Sequence, residues 1–512
     1  MSKHVIVIGA GIAGLATAAL LTREGLRVTV IDKLPELGGR AGSLEVEGFR
    51  FDTGPSWYLM PEAFDEFFRA CGTSTAAELE LVDLSPAYRV YNEDGEHIDV
   101  HTGVENVAAL FESIEPGAGQ RVRAYLSQAS EAYGIALRNF LYTTFSRPVE
   151  LLSAEVLARL RTLALLLVRS LDAHVAAQFT DYRLRQVLTY PAVFLSTEPQ
   201  RAPALYSLMS HTDLVEGVRY PQGGFKAVVE AIARQAGDAK FLLDTEVTSI
   251  DVTDGHATGV TVATPSGPRT LLADALISAA DLHHTETALL PPKARSYPER
   301  YFAGRDPGLG TVLVLLGVRG KLPQLAHHTL LFSKDWTPDF QAVYRGPEPT
   351  RPLGASESIY ISKTSATDAQ VAPKGHENLF VLIPVPAEES FGHGDAYRSA
   401  ACPRVSAIAQ AAIAQIGQWL GIEDFAQRIV VQRTLGPSDF AQRYNSWSGG
   451  AVGPAHTLRQ SAFLRGRNVS RKVDNLYYAG GTTVPGVGVP MCLISAHNVL
   501  TRMRERGFLP EA

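Results

Sequence analysis

Gly9-Ala10-Gly11-Ile12-Ala13-Gly14 places three glycines in the spacing G-x-G-x-x-G. The first glycine permits a tight turn, the second lets the backbone approach a pyrophosphate, and the third allows close helix–strand packing. Before them runs a short β-branched segment, residues 3–9 (KHVIVIG), and after them the Ala/Leu-rich, helix-favouring Ile12–Arg23. The start of that helix would face the negative charge of a phosphate. Residues 27–32 (RVTVID) form a second apolar run that ends on Asp32, eighteen residues beyond Gly14. An acid there can accept hydrogen bonds from adenosine ribose hydroxyls, and Lys33 beside it is assigned to the same site. Together these residues predict a βαβ unit that holds a dinucleotide, without choosing between FAD and NAD.

The choice comes from two further segments. Gly38-Gly39-Arg40 follows Asp32 after five residues, where a Rossmann domain for NAD would continue into helix and a third strand. The turn resembles the GG(R) turn that supports the FAD pyrophosphate in flavoproteins of the amine-oxidase and glutathione-reductase-like superfamily. Near the end, residues 475–491 (NLYYAGGTTVPGVGVPM) precede a helical run from Cys492 to Met503. So many glycines and prolines forbid a continuous membrane helix, and the segment parses as strand, loop and helix start. Backbone N–H groups at such a helix start can support the negative charge of reduced flavin.

The elements around these residues predict an α/β protein. Its Rossmann-like FAD-binding domain is discontinuous in sequence, with an inserted α+β part for substrate and membrane. Alternation over residues 43–100, with Asp94-Gly95 as a hairpin turn, indicates an antiparallel layer, and residues 105–219 are mostly helical in pattern. Strands return at 240–262 and at 311–318 (TVLVLLGV), read as flavin-domain strands, while 358–362 and 378–385 belong to the inserted part. The expected division is 1–85, 219–295 and 431–512 for the FAD-binding domain, 86–218 for a helical substrate and membrane part, and 296–430 for antiparallel substrate strands. A chain of 512 residues with 46% hydrophobic content can bury two such cores, and its net charge of −6 offers no basic field for nucleic acid. Cys71, Cys402 and Cys492 are too widely spaced for a metal site and read as reduced thiols of a cytoplasmic protein.

Over essentially its whole length the sequence resembles the bacterial-type phytoene desaturases and their carotenoid desaturase relatives. The motifs that carry the resemblance are GAGIAGL, DKLPELGGRAG, FRFDTGPSW at 49–57, GVRYPQGGFKAVVEAI at 217–232, SAAD at 278–281, PKGHENLFVLIPVP at 373–386, and NLYYAGGTTVPGVGVP. Val484-Pro485-Gly486 stands where relatives often carry His-Pro-Gly, and Asp32 where Glu is common. By position, the resemblance implies pyrophosphate contacts at Gly9, Ala10, Gly11, Ile12, Ala13 and Gly14, and support from Gly38, Gly39 and Arg40. Flavin-side backbone is implied at Gly54, Pro55 and Ser56, and an adenine contact at Val247. Cofactor contact is implied at Gly480 and Gly481, and isoalloxazine contacts around Val487, Gly488, Val489, Pro490 and Met491.

The implied activity is FAD-dependent desaturation of CH–CH groups in a carotenoid precursor, with phytoene as the leading substrate and electrons passing to oxygen or quinone. The alternatives are a sibling carotenoid oxidoreductase (isomerase, oxidase, 3,4-desaturase or diapophytoene desaturase) and, from another class, a prenyl-lipid escort protein without redox chemistry. Loss of hydride from an allylic carbon leaves a delocalised cation whose neighbouring proton is acidic, so no acid–base dyad is demanded and the catalytic residues stay unassigned. The polar or aromatic candidates are His211 with Asp213, Asp52, Trp57, Tyr220, His283-His284 and His327-His328; no metal is expected. Residues 148–175 carry Leu152, Val156, Leu160, Leu163, Leu167 and Leu171 at helical spacing with Arg159, Arg161 and Arg169 beside them. Two readings are open: a helix lying on the inner face of the cell membrane, through which a long apolar polyene enters, or an amphipathic helix packed on the protein's own core.

Overall fold

The structure is a computed structural model that describes residues 2–145 and 154–510. Its first sheet is built from five parallel strands, ordered Leu476–Tyr478, Ala275–Ser278, His4–Ile8, Arg27–Ile31, Lys240–Leu242. Numbered along the chain, the order across the sheet is five, four, one, two, three, so the winding reverses between His4–Ile8 and Ala275–Ser278. Such a reversal opens a crevice at the carboxyl ends of the strands, where doubly wound sheets bind ligands. Val5, Val7, Val28 and Val30 point to one face and pack with the helices Ile12–Arg23, Gly224–Gln235 and Val489–Glu505. Ile6, Ile8 and Ile31 point to the other, against an antiparallel three-stranded sheet of Val247–Thr253, His256–Val262 and Arg269–Leu272.

A second sheet has seven strands in the order Ile429–Leu435, Leu309–Arg319, His376–Pro386, Ile359–Ser362, His328–Phe332, Tyr88–Asn92, His97–Val100. All neighbours are antiparallel except His328–Phe332 with Tyr88–Asn92. The hairpin turn expected at Asp94-Gly95 is present, with Gly95 at φ 81°. The run 311–318 lies in this sheet, as the division at 296–430 expects, and not among the flavin-domain strands with which its apolar pattern grouped it. Leu313 and Leu315 face one core and Val312, Val314, Leu316 and Val318 the other, which the helix Pro403–Trp419 covers. Burial on both faces removes the polar alternation and leaves the continuous apolar run usual in parallel strands. The expected boundary between 430 and 431 likewise cuts the strand Ile429–Leu435, which belongs wholly to this sheet.

The single helix expected over 148–175 is also corrected. Leu152 lies outside the described residues, and the rest forms three short helices, Ala154–Ala158, Leu160–Val168 and Leu171–Ala176. Arg159 leaves helical geometry at φ −112°, ψ 8°, and Ser170 caps the third helix by accepting the N–H of Ala173. Val156, Leu163 and Leu171 are buried, whereas Leu157, Leu165 and Val168 are exposed. Arg159 is paired with Glu131 at 2.6 Å and Arg169 donates to the carbonyl of Ala173 at 2.6 Å.

Candidate functional site

The glycine turn follows the first strand and meets the loop after Ala275–Ser278 across the crevice. Gly9 has φ 102°, and a Cβ there would lie 3.2 Å from the carbonyl carbon of Ala279. At Gly14 a Cβ would fall 1.9 Å from the Gly9 oxygen, so this glycine lets helix and strand touch. Gly11 differs: its nearest neighbour would be the Gly38 oxygen at 3.8 Å, leaving the position open on the ligand side. Asp32 Oδ2 accepts the Ala10 N–H at 2.6 Å and Oδ1 the Leu34 N–H at 2.8 Å. Burial pushes this carboxyl upward, opposed by those two N–H groups.

Gly38 donates its N–H to the Ala10 carbonyl at 2.9 Å, and Gly39 would bring a Cβ within 3.2 Å of the Gly11 Cα. The two glycine turns are therefore stacked backbone on backbone. Arg40 donates to Ser446 Oγ at 2.6 Å and lies 3.7 Å from Asp281, while its Nε is buried without a hydrogen-bond partner. Gly54 packs under this turn, since a Cβ there would lie 1.9 Å from the Arg40 oxygen. Two residues further along, Ser56 exchanges a hydrogen bond with the Tyr360 hydroxyl at 2.7 Å.

The C-terminal block reaches the same crevice. Gly480, after the strand Leu476–Tyr478, has φ 112° and would carry a Cβ 3.5 Å from that of Ala13. The helix Val489–Glu505 starts at Gly488 with Pro490 in its first turn, and Gly488, Val489, Pro490 and Met491 are exposed or half-buried. Three residues that the sequence reading missed hold this loop. Arg465, fully buried, donates to the carbonyls of Gly481 (2.5 Å), Thr483 (3.1 Å), Pro454 and Gln460, and burial pulls its pKa down to about 10. Asn468 Nδ2 donates to the carbonyls of Tyr478 and Val484 and to Ser495 Oγ. His456, held neutral by burial, accepts the Val487 N–H at Nε2 and meets the Tyr206 hydroxyl at Nδ1, 2.8 Å away. No spacing in the sequence announces them, because each acts on backbone far along the chain.

Two assigned residues sit apart from the glycine turns. Lys33 turns toward the second sheet's side of the molecule, donating to the Gln442 carbonyl and Asn445 Oδ1, both at 2.6 Å. With Leu34, Glu246, Tyr397 and Arg443 it borders a cavity of about 680 Å³. Val247, next to Glu246, is 7% exposed and packs in the core beneath this cavity.

The sequence matches the family described as flavin containing amine oxidoreductase over residues 12–503. It is 38% identical to a carotenoid 3,4-desaturase of Haloarcula japonica over 98% of both chains. A zeta-carotene-forming phytoene desaturase of Myxococcus xanthus is 33% identical over 98% of this chain and 94% of its own. The chain belongs to the carotenoid desaturase family of flavin-containing amine oxidoreductases. A 4,4'-diapophytoene desaturase of Staphylococcus aureus is also similar, at 29% identity over 98% of both chains. The fold is shared with an oxidoreductase from Methanosarcina mazei (TM-score 0.63, 17% identity, 97% and 100% of the two chains) and with cyclohexylamine oxidase from Brevibacterium oxydans (TM-score 0.59, 15% identity, 99% of both).

FAD is the cofactor of this flavoprotein family, and the crevice fits it. The open flank of Gly11 and the unpartnered Nε of Arg40 both suit a pyrophosphate. Of the candidate polar groups, the structure disperses most. The Asp52 carboxyl lies beneath the start of the helix Gly224–Gln235, accepts the Phe225 N–H at 3.1 Å, and is pushed up to about 6 by desolvation. Tyr220 donates to Asp368 at 3.2 Å, and His283 pairs with Glu299 near the surface. His211 bonds Ser130 and Glu216, not its neighbour Asp213. Trp57 stacks on His328 with ring centroids 4.5 Å apart and planes 11° apart, and His328 Nδ1 meets the Tyr360 hydroxyl at 2.7 Å. This group continues directly from Ser56 into the second core.

Proposed function

We propose that this flavoprotein removes two hydrogens from neighbouring carbons of a long carotenoid polyene. The observation that carries the reading is the junction at residues 54–57. Gly54 packs under the Arg40 turn, and Trp57 opens into an aromatic wall on the seven-stranded sheet. A nucleotide crevice joined to an apolar, aromatic wall suits a hydrocarbon substrate. Gly9, Gly11, Gly14, Asp32, Gly38, Gly39 and Arg40 would hold the nucleotide end of FAD, and Val487, Gly488, Val489, Pro490 and Met491 would border its ring. FAD supplies a two-electron acceptor for hydride, with oxygen or a quinone as the final sink. Arg465, Asn468 and His456 keep the C-terminal loop in place.

Between bonds, 3,4-desaturation is favoured over phytoene desaturation by the 38% identity to a 3,4-desaturase, against 33% to a phytoene desaturase. Phytoene is the second reading. Pigment analysis after co-expression with a phytoene source, and separately with a conjugated acyclic carotene, decides between them. A new 3,4 double bond only in the second strain supports the first reading; coloured products from phytoene support the other.

The polyene must come from a lipid phase. No helix of the described residues is long and apolar enough to cross a membrane, so we propose peripheral attachment. Leu157, Leu165 and Val168 are 51%, 59% and 78% exposed, and Leu458, Phe463 and Leu464 are 50%, 42% and 53% exposed. The segment Ala204–Leu208 touches the elements that carry both groups: Leu205 packs on the buried Val156 and Leu163, and the Tyr206 hydroxyl meets Ser461. Scattered apolar side chains are ordinary, but a grouped set marks a contact surface.

A further inference from the structure

Asp213 lies in the helical turn His211–Glu216, is 3% exposed, and belongs to no ion pair among the described residues. Its Oδ2 accepts the hydroxyls of Tyr190 at 2.8 Å and Tyr88 at 3.2 Å. Its Oδ1 is buried without a hydrogen-bond partner. The two tyrosine rings stand 5.4 Å apart and close a box with Trp57, 5.4 Å from Tyr88 and 6.1 Å from Tyr190, and with Phe194, 5.4 Å from Trp57. The carboxylate thus keeps one oxygen without a hydrogen bond, at the hydroxyl ends of two rings in an aromatic set that begins one residue beyond Ser56.

Desaturation releases a proton that such a group can take. One C–H bond would break with its hydrogen leaving as hydride, for which bound FAD would be the two-electron acceptor. The neighbouring C–H bond then breaks, its electron pair stays behind as the new π bond, and a proton must be taken up. We propose that Asp213 Oδ1 takes that proton, and that the rings of Trp57, Tyr88 and Tyr190 stabilise the positive charge on the polyene just before. The proposal rests on the desaturase reading above and deepens it. The carboxylic acid so formed returns its proton to water before the next turnover.

Electrostatics select Asp213 over its neighbours. His328 Nε2 is also buried and without a partner, but burial holds its pKa well below the ordinary value, with His327 adding to the shift. Protonating His328 would create a charge in an apolar wall; protonating Asp213 removes one. A carboxylate also attracts the cation before the proton moves, and ring faces add to that attraction. The Asp52 carboxyl is desolvated too, yet it is engaged at the start of a helix. Burial pushes Asp213 up to about 7, moderated by the hydroxyls of Tyr190 and Tyr88, and no charged neighbour contributes. Both phenols are themselves pushed upward and stay neutral. On its own turn, His211 and Glu216 face one another.

The test uses purified FAD-loaded protein, wild type beside Asp213→Asn and Tyr190→Phe, in two measurements. Infrared difference spectra without polyene, taken on either side of neutral pH, should show a carboxylic-acid band that titrates near pH 7 in wild type and is missing in Asp213→Asn. Anaerobic flavin bleaching by a liposomal carotene should rise with pH through the same point in wild type. In Asp213→Asn it should be on the order of 100-fold slower and flat with pH, with FAD content unchanged. Tyr190→Phe, which removes a donor to the carboxylate, should shift both profiles to higher pH. Bleaching by Asp213→Asn within a few-fold of wild type, or with the wild-type pH profile, overturns the proposal while leaving the desaturase reading intact. Should Asp213→Asn fail to hold FAD, Tyr190→Phe decides: an upward shift supports the proposal and an unshifted profile overturns it. A wild type that no carotene bleaches defeats the desaturase reading, and the proton-acceptor role falls with it.

Discussion

The backbone N–H of Ala10 donates to the Asp32 carboxylate at 2.6 Å, so the acid ending the second strand and the glycine turn after the first are one unit. Within that unit the glycines are not equivalent. A Cβ at Gly14 would meet the Gly9 oxygen at 1.9 Å, while one at Gly11 would meet nothing closer than 3.8 Å. Gly14→Ala should therefore destabilise the fold by ~1–3 kcal/mol or more through overpacking. Gly11→Ala should leave the apoprotein's melting temperature unchanged and abolish FAD retention. Thermal melts and flavin absorbance separate the two; equal melting losses in both variants would contradict the assignment.

A second expectation concerns Arg465. Its guanidinium donates to four carbonyls while fully buried, so Arg465→Met strips the C-terminal loop of its ties, and each carbonyl left unsatisfied costs ~1–3 kcal/mol. Hydrogen exchange should rise in residues 481–488 and FAD should dissociate more readily. Unchanged exchange there would show that the loop holds itself.

These contrasts show what was legible in the sequence. Gly9, Gly11, Gly14, Asp32, Gly38 and Gly39 act through local backbone geometry, which spacing records directly, and the structure brings them together at the crevice. Arg465 and Asn468 act by donating to backbone carbonyls and His456 by accepting the Val487 N–H, each across a stretch of chain for which spacing carries no mark. The strand Leu309–Arg319 carries the pattern of a flavin-domain strand because burial on both faces erases alternation. The stripe from Val156 to Leu171 mixed core and surface positions because the chain breaks at Arg159 and Ser170, which changes the face presented by each short helix.

Asp52 offers a pH-dependent prediction. Its carboxyl is raised from 3.8 to about 6, with burial the largest cause. Between those values the folded state binds a proton that the unfolded state does not, so this group's contribution to stability falls as pH rises through the window. Asp52→Asn keeps an oxygen for the Phe225 N–H and has no charge to bury. Relative to wild type it should gain stability from about pH 4 to about pH 7, by at most ~3 kcal/mol. Melting temperatures across that range check the sign; a difference independent of pH would mean that Asp52 is ionised freely in the folded protein.

The exposed apolar set predicts lipid binding that salt barely weakens, since Arg159 and Arg169 are already engaged within the protein. Changing Leu157, Leu165 and Val168 together to Ser should lower liposome partitioning on the order of 100-fold, from roughly 1 kcal/mol lost per side chain, with bound FAD unaffected. Sedimentation with liposomes measures this. Undiminished binding by the triple variant would place the membrane contact elsewhere.

The most direct test of carotenoid desaturation is a single anaerobic turnover: stoichiometric FAD-loaded protein mixed with a carotene in liposomes, followed by flavin absorbance and product mass. The expected result is one flavin reduced for each product molecule lighter by two hydrogens, with NAD⁺ unable to replace oxygen or a quinone in reoxidising it. A flavin that stays oxidised with phytoene and with conjugated acyclic carotenes alike, or reduction without any change in product mass, would contradict the function proposed for this chain.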